Sequence, residues 1–347
     1  MRALVPLLVT RVSLFAAPVI ALLLAAACSE PAPPPPPPPP PVKTAQERVQ
    51  LYQDCWNHFN TKAYDRMASC YASAMTAEVA DSATPKVTTP ADAIAQMKKD
   101  EAAFPDRRGE LRYVFVNGSH IAGVVLYTGT NSGAMAGPDG KPMPATNKSI
   151  GMLMGHALDL DANGAAATRE TVYLEEGTMM AQLGLNPNPA RKPEKGTGAA
   201  PVIVIAKNDA TEAANVTAVR AMYDAFAKKD VKAMQAAMTD DFKLIEIAQA
   251  MDLDKKAADK SMSEFMRGFP DLTPSVTTIW AAGDFVIVEG SISGTNTGPM
   301  PSMGMKKPTG KKITVRFMEV YEMSGGKAKT EWLFYNGAAF ASQLGLM

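Results

Sequence analysis

The sequence predicts an α+β fold used twice, as a tandem repeat. Three observations predict it. The length of 347 residues suggests about two domains, since single cores usually take on the order of 100 to 200 residues. Three short motifs recur in the same order and at nearly constant spacing. Phe104-Pro105-Asp106 returns as Phe269-Pro270-Asp271, Gly129-Thr130-Asn131-Ser132-Gly133 as Gly294-Thr295-Asn296-Thr297-Gly298, and Gln182-Leu183-Gly184-Leu185 as Gln343-Leu344-Gly345-Leu346. Within each copy, helical periodicity comes first and strand-like alternation afterwards, the order expected of helices packed on one face of an antiparallel sheet.

The chain begins with an address. Arg2 and Arg11, an apolar run from Val12 to Leu24, and Ala25-Ala26-Ala27 before Cys28 make residues 1–27 a secretory signal. The apolar run is shorter than the roughly 20 residues that a membrane-spanning helix needs. Small residues followed directly by cysteine resemble the cleavage region of bacterial lipoproteins, with Ala25 where that family prefers Leu. The resemblance implies a diacylated Cys28 that becomes residue one and anchors firmly to a membrane. Ser29, rather than Asp, resembles lipoproteins sorted to the outer membrane. The implied location is the bacterial cell envelope, on its periplasmic or surface side; a free secreted protein with Cys28 as bystander is the other reading. Residues 28–42 then carry Pro31 and the unbroken run Pro33 to Pro41. Such a run adopts polyproline II, a stiff arm of about 30 Å at ~3.1 Å per residue.

The two copies span 43–186 and 207–347. Between them, 187–206 holds Pro187, Pro189, Pro193, Gly196, Gly198 and Pro201, a linker composition; the apolar run Val202 to Ala206 within it is a strand candidate without an assigned place. Each copy opens with a helix, Gln46 to Asn60 and Ala210 to Lys228. In the second, Val216, Val219, Met222, Tyr223 and Phe226 fall on one face. A short second helix contains Met67 or Met234. The third, Pro90 to Ala103 or Lys255 to Arg267, ends at Phe-Pro-Asp, where proline stops it. Four strands follow: Leu111 to Val116, Ile121 to Thr128, Ser149 to Leu160 and Ala166 to Leu174 in the first copy. Their counterparts are Val276 to Trp280, Phe285 to Ser293, Ile313 to Met323 and Ala328 to Tyr335.

Helices, then "FPD", a strand ending in "GT-x-x-G", a long hairpin and a last strand closing on "QLG" resemble the SnoaL-like polyketide cyclase group of the nuclear-transport-factor-two-like superfamily. The resemblance covers both copies. It implies two cone-shaped α+β barrel modules, three helices packed on a curved antiparallel sheet around an apolar pocket. It also implies cofactor-free acid–base chemistry, in which one carboxylate, its pKa raised by an apolar wall, removes a proton next to a carbonyl. The family's acid stands seven residues before the Gln of "QLG". Glu175, after Glu170, occupies that position in copy one; copy two keeps Glu331-Trp332 upstream but has Asn336, which takes no proton. Glu175 is therefore either a general base or a carboxylate facing water at a strand end. The residue after "GT", commonly His in the family, is Asn131 and Asn296. An amide orients a ligand carbonyl but does not titrate, and Asn equally suits a turn.

Other residues carry weaker signals. Trp56 and its counterpart Tyr223 either line the pocket mouth or pack in the core. His120 follows the Asn117-Gly118 turn as a strand residue with little chemistry; His58 lies on the first helix and His156 in the long hairpin. No pair has metal-site spacing, so no metal and no cofactor is expected. Among 22 methionines, Met300, Met303 and Met305 cluster in one hairpin and Met135 and Met143 in the other. They make either an adaptable exposed apolar surface or, less commonly, a Cu(I) site. Cys55 and Cys70 align with the apolar Met222 and Ala237, so they either form a disulfide in an oxidising envelope or stay as buried thiols. With 35 basic and 35 acidic residues, the chain has no basic face for nucleic acid.

Asparagines where titratable groups are expected favour a lipoprotein that binds a small apolar or amphipathic molecule, with Trp56, Asn131, Glu170, Tyr223, Asn296, Glu331, Trp332 and Asn336 as ligand contacts. A cyclase or isomerase working from Glu175 is the alternative. Because such modules often dimerise through the sheet, the two copies are candidates for an intrachain pseudo-dimer.

Overall fold

The computed structural model describes residues 41–136 and 141–346. The segment expected to be a signal, Cys28 and the proline run up to Pro40 lie outside the described residues. Module one begins with α1 (Ala45–Asn60), α2 (Tyr64–Ala68), β1 (Tyr71–Val79), α3 (Pro90–Ala103), β2 (Arg108–Asn117) and β3 (His120–Thr130). It continues with β4 (Met135–Ala136), β5 (Pro142–Met143), β6 (Ser149–Leu160), β7 (Ala167–Tyr173) and α4 (Glu176–Gln182), and the connecting segment supplies β8 (Val202–Ile205). Module two starts with α5 (Ala210–Ala227), α6 (Val231–Ala236), β9 (Met238–Glu246), β10 (Leu253–Asp254) and α7 (Lys255–Gly268). Then come β11 (Thr273–Ala282), β12 (Phe285–Thr295), β13 (Lys312–Ser324), β14 (Lys327–Tyr335) and α8 (Gly337–Gln343).

Local chemistry sets the helix ends. Thr44 and Glu47 form a reciprocal capping box on α1, and Thr89 caps α3 ahead of Pro90 at its first turn. Asp209 and Asp254 accept first-turn amides of α5 and α7. Each such cap satisfies amides that the helix itself leaves unpaired.

Each module folds its strands into one six-stranded sheet, in the orders β1-β7-β6-β3-β2-β8 and β10-β9-β14-β13-β12-β11. The sheets are mixed, not the purely antiparallel meanders that the sequence suggested. β1 runs parallel to β7, and β9 parallel to β14. Neither was legible, because each follows a short helix without Gly or Pro, and β1 (YASAMTAEV) is interrupted by a register shift between Tyr71 and Thr76. β8 pairs in parallel with β2, Tyr113 facing Val202 and Val116 facing Ile205. Each module also has a fourth helix, α4 or α8, beyond the three expected.

The recurring motifs hold these parts together. Asp106 accepts the Thr130 amide at 2.6 Å, and Asp271 accepts the Thr295 amide at 2.6 Å, so the Phe-Pro-Asp turn clamps the end of the Gly-Thr strand in both modules. Gln182 accepts from the Gly151 amide and donates to the Gly151 carbonyl; Gln343 does the same to Thr314. The last helix is thus pinned to the strand beneath it. Cys55 and Cys70 are joined as a disulfide, tying α1 to the start of β1.

One face of each sheet meets its own helices. Val49, Tyr52, Trp56, Val114, Val125 and Met154 fill this layer in module one, and Val219, Met222, Phe242, Val286 and Phe317 fill it in module two. The opposite faces meet each other in a shared core of Phe115, Val124, Met152, Tyr173, Trp280, Ile287, Met318, Trp332 and Phe334. Gly155 permits the approach, since a Cβ there would lie 2.9 Å from Met318 Sδ and 3.0 Å from Phe334. Polar ties run around this core. Arg169 grips Glu289 with two hydrogen bonds of 2.8 and 2.7 Å while Tyr173 donates to the same carboxylate, and Arg316 donates to Glu78. The connecting segment is pinned as well: Glu110 accepts the Thr197 and Gly198 amides, and Arg191 bonds Asp252 and the Glu246 carbonyl.

Trp332, 7% exposed and 5.4 Å from the Tyr113 ring across the seam, measures this packing. Trp332→Ala should cost about 3–5 kcal/mol, seen as an earlier midpoint in urea, with both modules unfolding in one transition because they share that core.

Candidate functional site

The concave faces of the two sheets carry polar side chains at matching positions. In module one His156 lies opposite Gly123 on β3, and Glu170 opposite Leu158 on β6. In module two Glu319 lies opposite Val288, and Glu331 opposite Tyr321. Strand register therefore equates His156 with Glu319 and Glu170 with Glu331.

In module one these groups satisfy one another. Tyr52 Oη lies 2.8 Å from His156 Nδ1, His156 Nε2 lies 2.6 Å from Glu170 Oε1, and Tyr71 donates to Glu170 Oε2 at 2.7 Å. Trp56 sets its edge against the imidazole, with ring centres 5.2 Å apart. Burial pushes the Glu170 carboxyl up, but the hydrogen bonds from His156 and Tyr71 and the imidazole beside it outweigh burial and hold it below the ordinary value. Gly123 makes room for the chain, since a Cβ there would stand 2.3 Å from Tyr52 Oη.

Module two has a different balance. Glu319 accepts from Tyr223 and, at 2.7 Å, from Tyr321. Tyr335 donates to Glu246 at 2.6 Å on the neighbouring β9. Among the described residues no hydrogen bond reaches the Glu331 carboxyl, although the residue is only 8% exposed. Its oxygens are not among the fully enclosed unpaired atoms, so they still border space that water can enter. Burial raises the Glu319 carboxyl against the pull of its two tyrosines. Burial, then the charges of Glu319 and Glu246, raise Glu331 well above the ordinary carboxylate range. Like charges in a shared low-dielectric site cannot both ionise cheaply. Burial and the neighbouring acids thus favour the protonated form of Glu331, which can donate an O–H bond where an ionised carboxyl only accepts.

The remaining predicted site residues lie elsewhere. Glu175 is the N-cap of α4, 4% exposed: it accepts the Gly177 and Thr178 amides and, at 2.9 Å, the Gly337 amide of module two. It therefore neither faces water nor points into a cone. Asn336 is the matching N-cap of α8, accepting from Ala339 and donating to Glu176 across the seam at 2.9 Å. Asn131 and Asn296 are wholly buried. Each amide nitrogen donates to two carbonyls, Ala103 and Gly133 or Gly268 and Gly298, and each oxygen accepts a loop amide, from Thr146 or Thr309. They brace loops and have no donor left for a ligand. Trp332 faces the shared core, not a cone. Met300 and Met305 are 2% and 4% exposed inside module two, correcting the expected methionine surface; Met303 alone of the three is exposed. Among the described residues no group of three or more His, Cys, Asp and Glu is placed to hold a metal ion.

Inside each module these tyrosines and acids stand among apolar side chains, and two surface depressions open elsewhere. One, of about 340 Å³, lies between Lys62, Arg66 and Lys98; the other, of about 410 Å³, lies at the seam by Tyr113, Lys329 and Trp332. Sequence reasoning had set His156 aside and overlooked Glu319. The signal available was their equivalence in the two long hairpins, a polar residue amid apolar neighbours in both copies.

The arrangement of each module is that of the SnoaL-like polyketide cyclases, whose family model matches residues 46–172 and 216–344. The chain belongs to that family, with two copies of its domain. Similar solved structures are one module long. AclR from Streptomyces galilaeus is 22% identical over 39% of this chain and 98% of its own, with a TM-score of 0.36. A SnoaL-like protein from Jannaschia is 20% identical over 40% and 96%, TM-score 0.37. TsrD from Streptomyces laurentii is 15% identical over 39% and 97%, TM-score 0.35. Similarity at this level assigns no activity. No curated protein matches the chain.

Two outcomes follow. Glu175→Ala should destabilise by about 1–3 kcal/mol, the cost of leaving buried amides unpaired, measured by urea denaturation. The raised acids of module two hold protons in the folded state that the unfolded chain releases above about pH 4.5, the ordinary glutamate value. Their contribution is complete below that pH and is lost as pH rises through the folded-state values. Glu331→Gln should therefore flatten the fall of stability with rising pH, read as urea midpoints across a pH series.

Proposed function

We propose that this chain is a binding protein of a bacterial envelope, tethered by a lipid on Cys28 and held off the membrane by its proline arm. Its two modules act as an intrachain pseudo-dimer, and the second takes a small amphipathic molecule against Glu331. One observation carries the reading: Glu331 is a buried carboxyl without a hydrogen-bond partner among the described residues, in a family whose modules are built around an interior site. Unpaired buried polar groups are costly and rare, and a guest's polar atom would relieve this one. In module one every polar group of the cone is already matched, which makes that copy the structural partner. Turnover of the cyclase kind has little support, because Glu175 and Asn336, at the family's acid position, both serve as helix caps.

A second reading has its own observation. Glu319 on β13 and Glu331 on the adjacent β14 form a pair of buried like acids, and such pairs serve general acid–base enzymes. Both readings are separated by purifying the full chain and Glu331→Gln from the same cells. A binding protein should carry a small molecule, detected by native mass spectrometry, that Glu331→Gln loses, and neither protein should accelerate enolisation of a β-dicarbonyl compound. Equal cargo in both would refute the assignment of Glu331, and enolisation by the parent chain alone would favour the enzyme. The anchor is checked separately: radiolabelled palmitate should enter the parent chain and not Cys28→Ala.

A further inference from the structure

The imidazole that module one places beside its buried carboxyl has no counterpart in module two. His156 stands beside Glu170 at 2.6 Å, whereas the equivalent pair is Glu319 and Glu331. The titratable groups facing that pair are Tyr223 from α5, Glu246 from β9, Tyr321 from β13 and Tyr335 from β14. Among the described residues no basic side chain acts on Glu319 or Glu331; Arg191 reaches only as far as Glu246 and its carbonyl. Glu319 and Glu331 thus share an interior without a cation of their own, and no hydrogen bond from the described residues reaches Glu331. The walls are aromatic: Tyr223 stacks on Phe317 with ring centres 6.2 Å apart, and Tyr321 and Tyr335 complete the lining.

We infer that the guest of module two is a small organic cation, a protonated or quaternary amine whose charge lies against Glu331 and Glu319 and whose carbon groups lie on Tyr223, Phe317 and Tyr321. This rests on the proposal that module two holds the guest, and adds its chemical class. An opposite charge within a few ångströms favours the ionised carboxylate, and aromatic faces attract cations that have shed water. Before binding, burial and the neighbouring Glu319 and Glu246 favour the protonated form of Glu331. When the cation enters, that O–H bond breaks, the electron pair stays on the carboxylate, and the proton leaves to solvent. No bond to the guest forms and nothing is oxidised.

The test uses the full chain and matched probes: benzylammonium and cyclohexylammonium against the neutral benzyl alcohol and cyclohexanol, followed by titration calorimetry. At least one cation should bind about tenfold or more tightly than its alcohol, with Glu331→Gln losing a similar factor. Titrations in buffers of different ionisation heat should show a proton released on binding. Glu319→His, which gives module two the pair already present in module one, should keep the fold, raise the melting temperature and abolish cation binding. If neither cation outbinds its alcohol, or if Glu319→His binds amines as the parent does, the inference is wrong. A neutral co-purified molecule that depends on Glu331 would sink the cation while leaving the proposed binding function intact.

Discussion

A sheet has two faces, and neither tolerates water over a wide apolar area. In this chain each sheet gives one face to its own helices and the other to the sister sheet, so the back-to-back contact is the condition for everything else. Phe115, Met152, Trp332 and Phe334 are buried only because the other module is present. The bidentate bond from Arg169 to Glu289 and the reach of Arg316 to Glu78 sit around this apolar patch, where charge-assisted hydrogen bonds fix register more than they add stability. The same closeness redirects the family's acid position. With the Gly337 amide within hydrogen-bonding distance, Glu175 closes two helix ends at once, and its oxygens are occupied by three amides instead of facing an interior.

Duplication then allowed the interiors to diverge. Histidine at one register position in the first cone and glutamate at the same position in the second turn a hydrogen-bonded imidazole–carboxyl pair into a pair of like acids. The first cone is electrostatically complete: its imidazole, carboxyl and two phenols form one closed chain. In the second, Glu319 has its two phenols while Glu331 is left without a hydrogen bond among the described residues. Low dielectric magnifies both outcomes, because charges that water would screen act at nearly full strength inside a packed barrel.

Much of the architecture was legible and little of the site. Phe-Pro-Asp, Gly-Thr and Gln-Leu-Gly were visible because each braces a neighbour: Asp106 holds Thr130, and Gln182 holds Gly151. Braces must keep their identity in both copies, so they survive as repeats. The long strands and the third helices were legible from periodicity and from the proline that ends them. β1 and β9 were not, since parallel pairing with a strand nearly a hundred residues later leaves no local trace. His156 and Glu319 were difficult for a related reason. The meaning of a polar residue in a strand depends on what lies across the register, and Tyr52 and Tyr71 reach His156 and Glu170 from distant elements. Asn131 and Asn296 misled because an amide that braces a loop and one that greets a ligand look alike in sequence.

The strand that the connecting segment lends to module one has a further meaning. Val202 to Ile205 comes after all the helices and strands of the first repeat, yet it forms the outer edge of that repeat's sheet, and the stretch leading to it is fastened to both halves through Glu110 and Arg191. The halves are therefore not beads on a cord. A protease or a genetic cut in the proline-rich stretch would strip the first half of its border and expose β2 as a sticky margin, so the unit that evolution can move or truncate is the pair.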